Sequence, residues 1–121
     1  MTVRSPFRRV LLTGALMLLP ALAHAHAILE DSDPKAGGAV AAGKVTLTLR
    51  FNSRIDRARS RLILTQPAGA KVTLPIDPEG TPDVLTTTVI LTAGAHVLRW
   101  QVLAIDGHIT RGDLPFRVTG P

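Results

Sequence analysis

Val45-Thr46-Leu47-Thr48-Leu49-Arg50-Phe51 alternates apolar with polar residues for seven positions, and this stretch decides the fold class. Alternation with a period of two puts every second side chain on one face of an extended strand. Val, Leu and Phe would then face a core while Thr and Arg face water. Working outward, similar patterns occur at Arg61–Thr65, Lys71–Ile76, Val84–Leu91, His96–Ile105 and Leu114–Thr119, and a short strand is expected near Ala27–Glu30. Turn-forming clusters separate them: Pro34-Lys-Ala-Gly-Gly38, Gln66-Pro-Ala-Gly69, Asp77-Pro-Glu-Gly80 and Ala93-Gly-Ala95. No segment carries a sustained helical period with capping signals at both ends, although Asp56–Ser60 is expected to form one helical turn. Short strands with regular turns predict an all-β, antiparallel sandwich or small barrel, with Trp100 as its large core residue.

The first 25 residues are of another kind. Arg4, Arg8 and Arg9 precede an apolar run from Val10 to Leu22, and Ala23-His24-Ala25 follows. A basic n-region, an apolar h-region and an A-x-A site form the pattern of a signal peptide, so residues 1–25 are expected to be removed on export. The run falls short of the roughly 20 residues of a permanent span, and no basic stop-transfer flank follows His26, so no permanent membrane anchor is expected. Taking 25 residues from 121 leaves 96, enough for one small domain. Three of the 14 Lys and Arg go with the leader, leaving 11 against nine acidic residues, a balance of +2. That weak, scattered charge is a poor footprint for nucleic acid.

Sulfur is absent from residues 26–121: the chain has no cysteine, and both methionines, Met1 and Met17, lie in the leader. Three histidines remain, His26, His96 and His108. If the cut falls after Ala25, His26 offers its free α-amino nitrogen and its ring nitrogen to one ion. Otherwise it is merely a histidine beside a processing site. Asp106-Gly107-His108 places a carboxylate and an imidazole two residues apart, facing one space if the backbone is extended. Asp-Gly is equally a hairpin turn signal. Taken together, the His26 amine and imidazole, the His108 imidazole and the Asp106 carboxylate make an N,N,N,O donor set that suits Cu(II). Zinc can use the same donors. Calcium and magnesium call for oxygen, Cu(I) for sulfur, and a blue-copper site for a cysteine. His96, at the start of the strand carrying Trp100, reads as structural or solvent-facing. Arg54, Arg57, Arg59 and Arg61 read as a solvated edge or loop.

The chain resembles the CopC family of periplasmic copper-binding proteins. The resemblance rests on a leader ending just before a histidine, His26-Ala-Ile-Leu-Glu30 with Asp33-Pro34, Leu49-Arg-Phe-Asn-Ser53, Leu98-Arg-Trp-Gln-Val102, and Asp106-Gly-His-Ile-Thr-Arg-Gly-Asp-Leu-Pro-Phe116. It spans the whole of residues 26–121. It implies a seven-stranded Greek-key β-sandwich or barrel, described as cupredoxin-like or immunoglobulin-like. It implies a Cu(II) site at His26, Asp106 and His108, and a CopD-type inner-membrane copper transporter as partner. Many members carry a glutamate after the Phe-Ser pair, where this chain has Ser53, so a further side-chain ligand is not implied here. The methionine-rich Cu(I) site of some members has no counterpart. The function so implied is that of a non-catalytic periplasmic carrier or buffer in copper homeostasis or resistance. Two other classes compete: a copper-dependent oxidative enzyme with an N-terminal histidine brace, and a metal-free β-sandwich interaction module. The absence of tyrosine and the single tryptophan argue against the flat aromatic face of a carbohydrate-cleaving enzyme.

Overall fold

A computed structural model describes residues 26–121; the expected leader, residues 1–25, lies outside them. Eight strands follow one another: β1 (Leu29–Asp33), β2 (Ala39–Ala41), β3 (Gly43–Phe51), β4 (Ile55–Thr65), β5 (Lys71–Leu74), β6 (Val84–Leu91), β7 (Gly94–Ala104) and β8 (Ile109–Thr119). They form two open sheets, β1-β3-β6 and β2-β8-β7-β4-β5, and no helix occurs among the described residues. The all-β sandwich expected from the alternating pattern is what the chain forms.

The details differ in two places. The count is eight, because Ala39–Ala41 adds a short strand parallel to Arg117–Thr119 at the edge of the larger sheet. Alanine is depleted in strands, so nothing local announces β2; its pairing is imposed by β8. The helical turn expected at Asp56–Ser60 is instead a bulge in β4. Asp56 pairs with Leu103 and Arg61 with Gln101, so four residues are looped out opposite Val102. Ser60 holds the bulge shut, its Oγ donating to Asp56 O at 2.7 Å and accepting from Leu103 N at 3.1 Å. Five residues cannot repay the nucleation of a helix when a sheet partner is available.

The inward side chains interdigitate between the sheets: Leu47, Leu49 and Phe51 from β3, Leu62 and Leu64 from β4, Leu98, Trp100 and Val102 from β7, and Leu114 and Phe116 from β8. Trp100 meets Phe51 edge to face at 5.2 Å. The indole lies over Gly112, its cross-strand partner, where a Cβ would come within 2.6 Å of Cε2. His96 is buried and stacks on Phe116 at 5.5 Å, with Nδ1 3.2 Å from Gly94 O. Its place is structural.

Candidate metal centre

One end of the sandwich gathers three pieces of chain: residues 26–28, the β3–β4 loop (52–54) and the β7–β8 hairpin tip (105–108). At the tip, Gly107 N donates to Ala104 O at 2.8 Å and closes a turn, and Ala104 N donates to His108 O at 2.8 Å. Gly107 has φ of +94°, a conformation costly to a residue with a Cβ. Asp106-Gly107 is therefore the hairpin turn that its sequence signals, and the extended alternative does not occur. The turn nevertheless unites the two functional groups. Asp106 Oδ1 accepts from the His108 backbone N at 3.1 Å, and Asp106 Oδ2 lies 2.8 Å from His108 Nδ1. An aspartate bonding its own backbone two residues on is the usual behaviour of Asx turns.

The second bond has a chemical consequence. A carboxylate only accepts, so the ring nitrogen facing it carries the proton. In the neutral imidazole the lone pair is then left on Nε2. The Asp106 carboxyl has a lowered pKa: its partial desolvation opposes the charged form, but the amide and ring donors of His108 outweigh it.

The His26 ring approaches the His108 ring at 4.9 Å between centroids, with the planes at 70°. Two side chains the sequence reading did not place in this role hold the segment there. Thr110 Oγ1 donates to Ala27 O at 2.9 Å. Asn52 makes a reciprocal pair with Ile28, its Oδ1 accepting from Ile28 N at 2.7 Å and its own N donating to Ile28 O at 3.0 Å. Ala27 itself is buried. Thr110 could have been noticed in the sequence, because it shares the inward register of Gly112, Leu114 and Phe116 and so directs a hydroxyl into the end of the core. Ser53, at the position of the family glutamate, has a buried hydroxyl with no hydrogen-bond partner among the described residues.

The structure thus sets the His26 ring beside that of His108, which Asp106 in turn hydrogen-bonds, and leaves His96 at the opposite end of β7. Among the described residues, no three His, Asp or Glu side chains form a ready-made metal cage. The cluster comprises two imidazoles and a carboxylate that already hydrogen-bonds one of them. A further donor would have to come from the His26 backbone nitrogen, which is an amide while residue 25 precedes it. The imidazole and carboxylate chemistry fits a borderline divalent ion and does not fit Cu(I).

Comparison with known proteins agrees with this architecture. The CopC domain family model matches residues 29–119. Copper resistance protein C of Pseudomonas syringae pv. tomato is 32% identical over 117 residues, covering 90% of this chain and 93% of the relative. The crystal structure of CopC from Methylosinus trichosporium OB3b superposes with a TM-score of 0.70 at 31% identity, covering 77% of this chain and 93% of that one. PcoC, a copper resistance protein from Escherichia coli, gives a TM-score of 0.65 at 24% identity, covering 76% and 99%, a likeness of fold. A family match across three quarters of the chain, together with a relative above 30% identity along nearly its whole length, establishes that the chain belongs to the CopC domain family.

Proposed function

We propose that this protein binds copper in the service of copper resistance or homeostasis, and that it does so as a non-catalytic periplasmic carrier or buffer of Cu(II). Membership of the CopC family and the relatives named for copper resistance support the copper assignment. The finer reading is carried by one observation: the His26 ring stands 4.9 Å from the ring of His108, whose Nδ1 is engaged by Asp106. In this reading residues 1–25 are cleaved, and the freed His26 amine joins its own imidazole, the His108 ring and the Asp106 carboxylate in holding the ion. Export to the periplasm supplies both the cleavage and the site of action, and a CopD-type inner-membrane transporter is the proposed partner.

Both imidazoles lie at the surface, the His108 side chain being 56% exposed. Donors so placed allow incoming ligands to reach the ion, which suits cargo that must be taken up and released.

The decisive experiment adds one glycine ahead of His26 in the chain comprising residues 26–121. Every side chain is retained, but the His26 nitrogen becomes an amide and the new amine moves one residue away. Isothermal titration should show Cu(II) affinity falling at least about tenfold, on the scale of losing a supporting metal-site group, with circular dichroism unchanged. Equal affinity and an unchanged electron paramagnetic resonance spectrum would remove the amine from the site and overturn this reading. Intact-mass analysis of the exported protein tests the cut itself, which must leave His26 first.

A further inference from the structure

Five large apolar side chains are substantially exposed among the described residues, and three of them surround the histidine cluster: Ile28 (60%), Ile105 (68%) and Ile109 (50%). They belong to the same end of the sandwich. Ile28 is bonded to Asn52, the Ile105 amide donates to Arg54 O at 3.1 Å, and Ile109 pairs with Leu103 where β8 leaves the hairpin. Isolated surface isoleucines are ordinary, but three converging on one end form a patch that calls for a partner. Behind them the outer face of the larger sheet carries a cross-strand row, Arg61–Gln101–Arg111. Arg54, Arg61 and Arg111 are exposed, and none forms an ion pair among the described residues.

We infer that this end of the protein docks on an anionic membrane surface, with Ile28, Ile105 and Ile109 entering the headgroup boundary and Arg54, Arg61 and Arg111 facing lipid phosphates. Protruding apolar side chains backed by cations are the composition of interfacial anchoring, whose strength adds buried apolar area to attraction for anionic lipid. Two open clefts lie elsewhere on the domain. One, about 250 Å³, is lined by His96 and Phe116 at the far end of β7; the other, about 200 Å³, lies between β1 and Asp113. The isoleucines stand on separate loops, an arrangement that lipid accommodates without a matching shape. No helix of the described residues is long and apolar enough to cross a membrane. The docking would set His26 and His108 at the lipid headgroups. The inference does not depend on copper, since the anchoring groups are not the metal donors.

The test uses metal-free protein comprising residues 26–121, which hold all eight strands and the core, in co-sedimentation with vesicles. Equimolar phosphatidylglycerol and phosphatidylcholine vesicles at low salt should bind it. Pure phosphatidylcholine, or the anionic vesicles at about 0.5 M salt, should bind at least about tenfold less, because exposed charges are screened. Ile105→Asp with Ile109→Asp should lower binding to anionic vesicles at least about tenfold, as should Arg61→Glu with Arg111→Glu. Ile90→Asp, at an equally exposed isoleucine on β6, should change nothing; circular dichroism checks each fold. Failure of the unmodified protein to bind anionic vesicles would overturn the inference and assign the patch to a protein partner. Equal losses from Ile90→Asp and from the hairpin pair would overturn it as well.

Discussion

The Nδ1–H of His108 has one partner, Asp106 Oδ2 at 2.8 Å, and that bond decides which atom the ring can offer to an ion. A metal-ligating imidazole whose other nitrogen is held by a carboxylate has its tautomer and direction fixed and its basicity raised, and losing such a carboxylate costs about 10–100-fold in metal affinity. Asp106→Asn removes that support together with the carboxylate donor of the proposed site, so it should weaken Cu(II) binding by at least about tenfold, and His108→Ala by at least about a hundredfold, in competition titrations against a chelator of known affinity. His96→Ala should leave affinity unchanged while lowering thermal stability, because that ring packs on Phe116 and reaches no atom of the cluster. The pH dependence follows from the sign of the Asp106 shift. Its carboxyl is held below the ordinary 3.8, so it is already ionised at pH 5 and binding an ion displaces no proton from it. Any stability that Asp106 lends the hairpin is present above the unfolded value and is lost only as pH falls through the lower folded one. A fall in Cu(II) affinity between pH 8 and 5 would therefore not come from Asp106 but from the protons that nitrogen donors must lose to bind an ion. Titration of the Asp106 carboxyl by nuclear magnetic resonance should give a midpoint below 3.8 in the metal-free protein; a midpoint inside the pH 5–8 window would reassign the dependence.

At the scale of elements, the site is the meeting of a hairpin tip and the segment before β1, fastened by side chains that are not donors. Thr110→Val and Asn52→Ala each remove a hydrogen bond to residues 27 or 28. Each should cost about 0.5–1.5 kcal/mol of stability, a shift of a few degrees in Tm for a domain of this size. Both should also loosen His26, so Cu(II) affinity should fall while the amides near Leu91, at the other end of the sandwich, keep their hydrogen-exchange protection. Unchanged affinity in both variants would mean that the metal, once bound, holds the segment by itself. Why these fasteners were less legible than the strands they join is a matter of range. The alternation of Val45–Phe51 is a property of neighbouring residues, and that strand appears with the expected register of inward side chains, whereas Val84–Leu91 buries Thr87 and exposes Ile90. The bond from Thr110 to Ala27 spans 83 residues, and that from Asn52 to Ile28 spans 24, so only the assembled sandwich brings them together. The β4 bulge has the same origin: nothing within Asp56–Ser60 declares that Val102 alone will stand opposite four residues. Asp106-Gly107-His108 lies between these cases, because the turn was legible locally while the arrival of His26 beside it depends on β1 pairing with β3.

For the whole molecule, the two sheets and the absence of sulfur constrain the function jointly. The core between the sheets is apolar, with Phe51 and Trp100 meeting in it and Gly112 leaving room for the indole. Gly112→Val should accordingly destabilise by about 1–3 kcal/mol through overpacking, with the thermal midpoint as readout and no change in the donor set. Because no disulfide or metal is needed to hold the core, the metal-free protein should be folded, and the ion becomes a passenger of a preformed end. What that end can hold is set by composition across residues 26–121, where histidine, aspartate and glutamate occur and cysteine and methionine do not. Soft Cu(I) prefers thiolate and thioether donors, whereas imidazole, amine and carboxylate suit Cu(II). The protein should therefore take up one equivalent of Cu(II) and release it on reduction. The measurement is a titration of the Cu(II)-loaded protein with ascorbate in the presence of a Cu(I)-specific chelator. The chelator should collect the whole equivalent as the ion is reduced, and circular dichroism should show the fold unaltered throughout. Retention of Cu(I) against the chelator would require a donor set that residues 26–121 do not contain, and would refute the assignment of oxidation state.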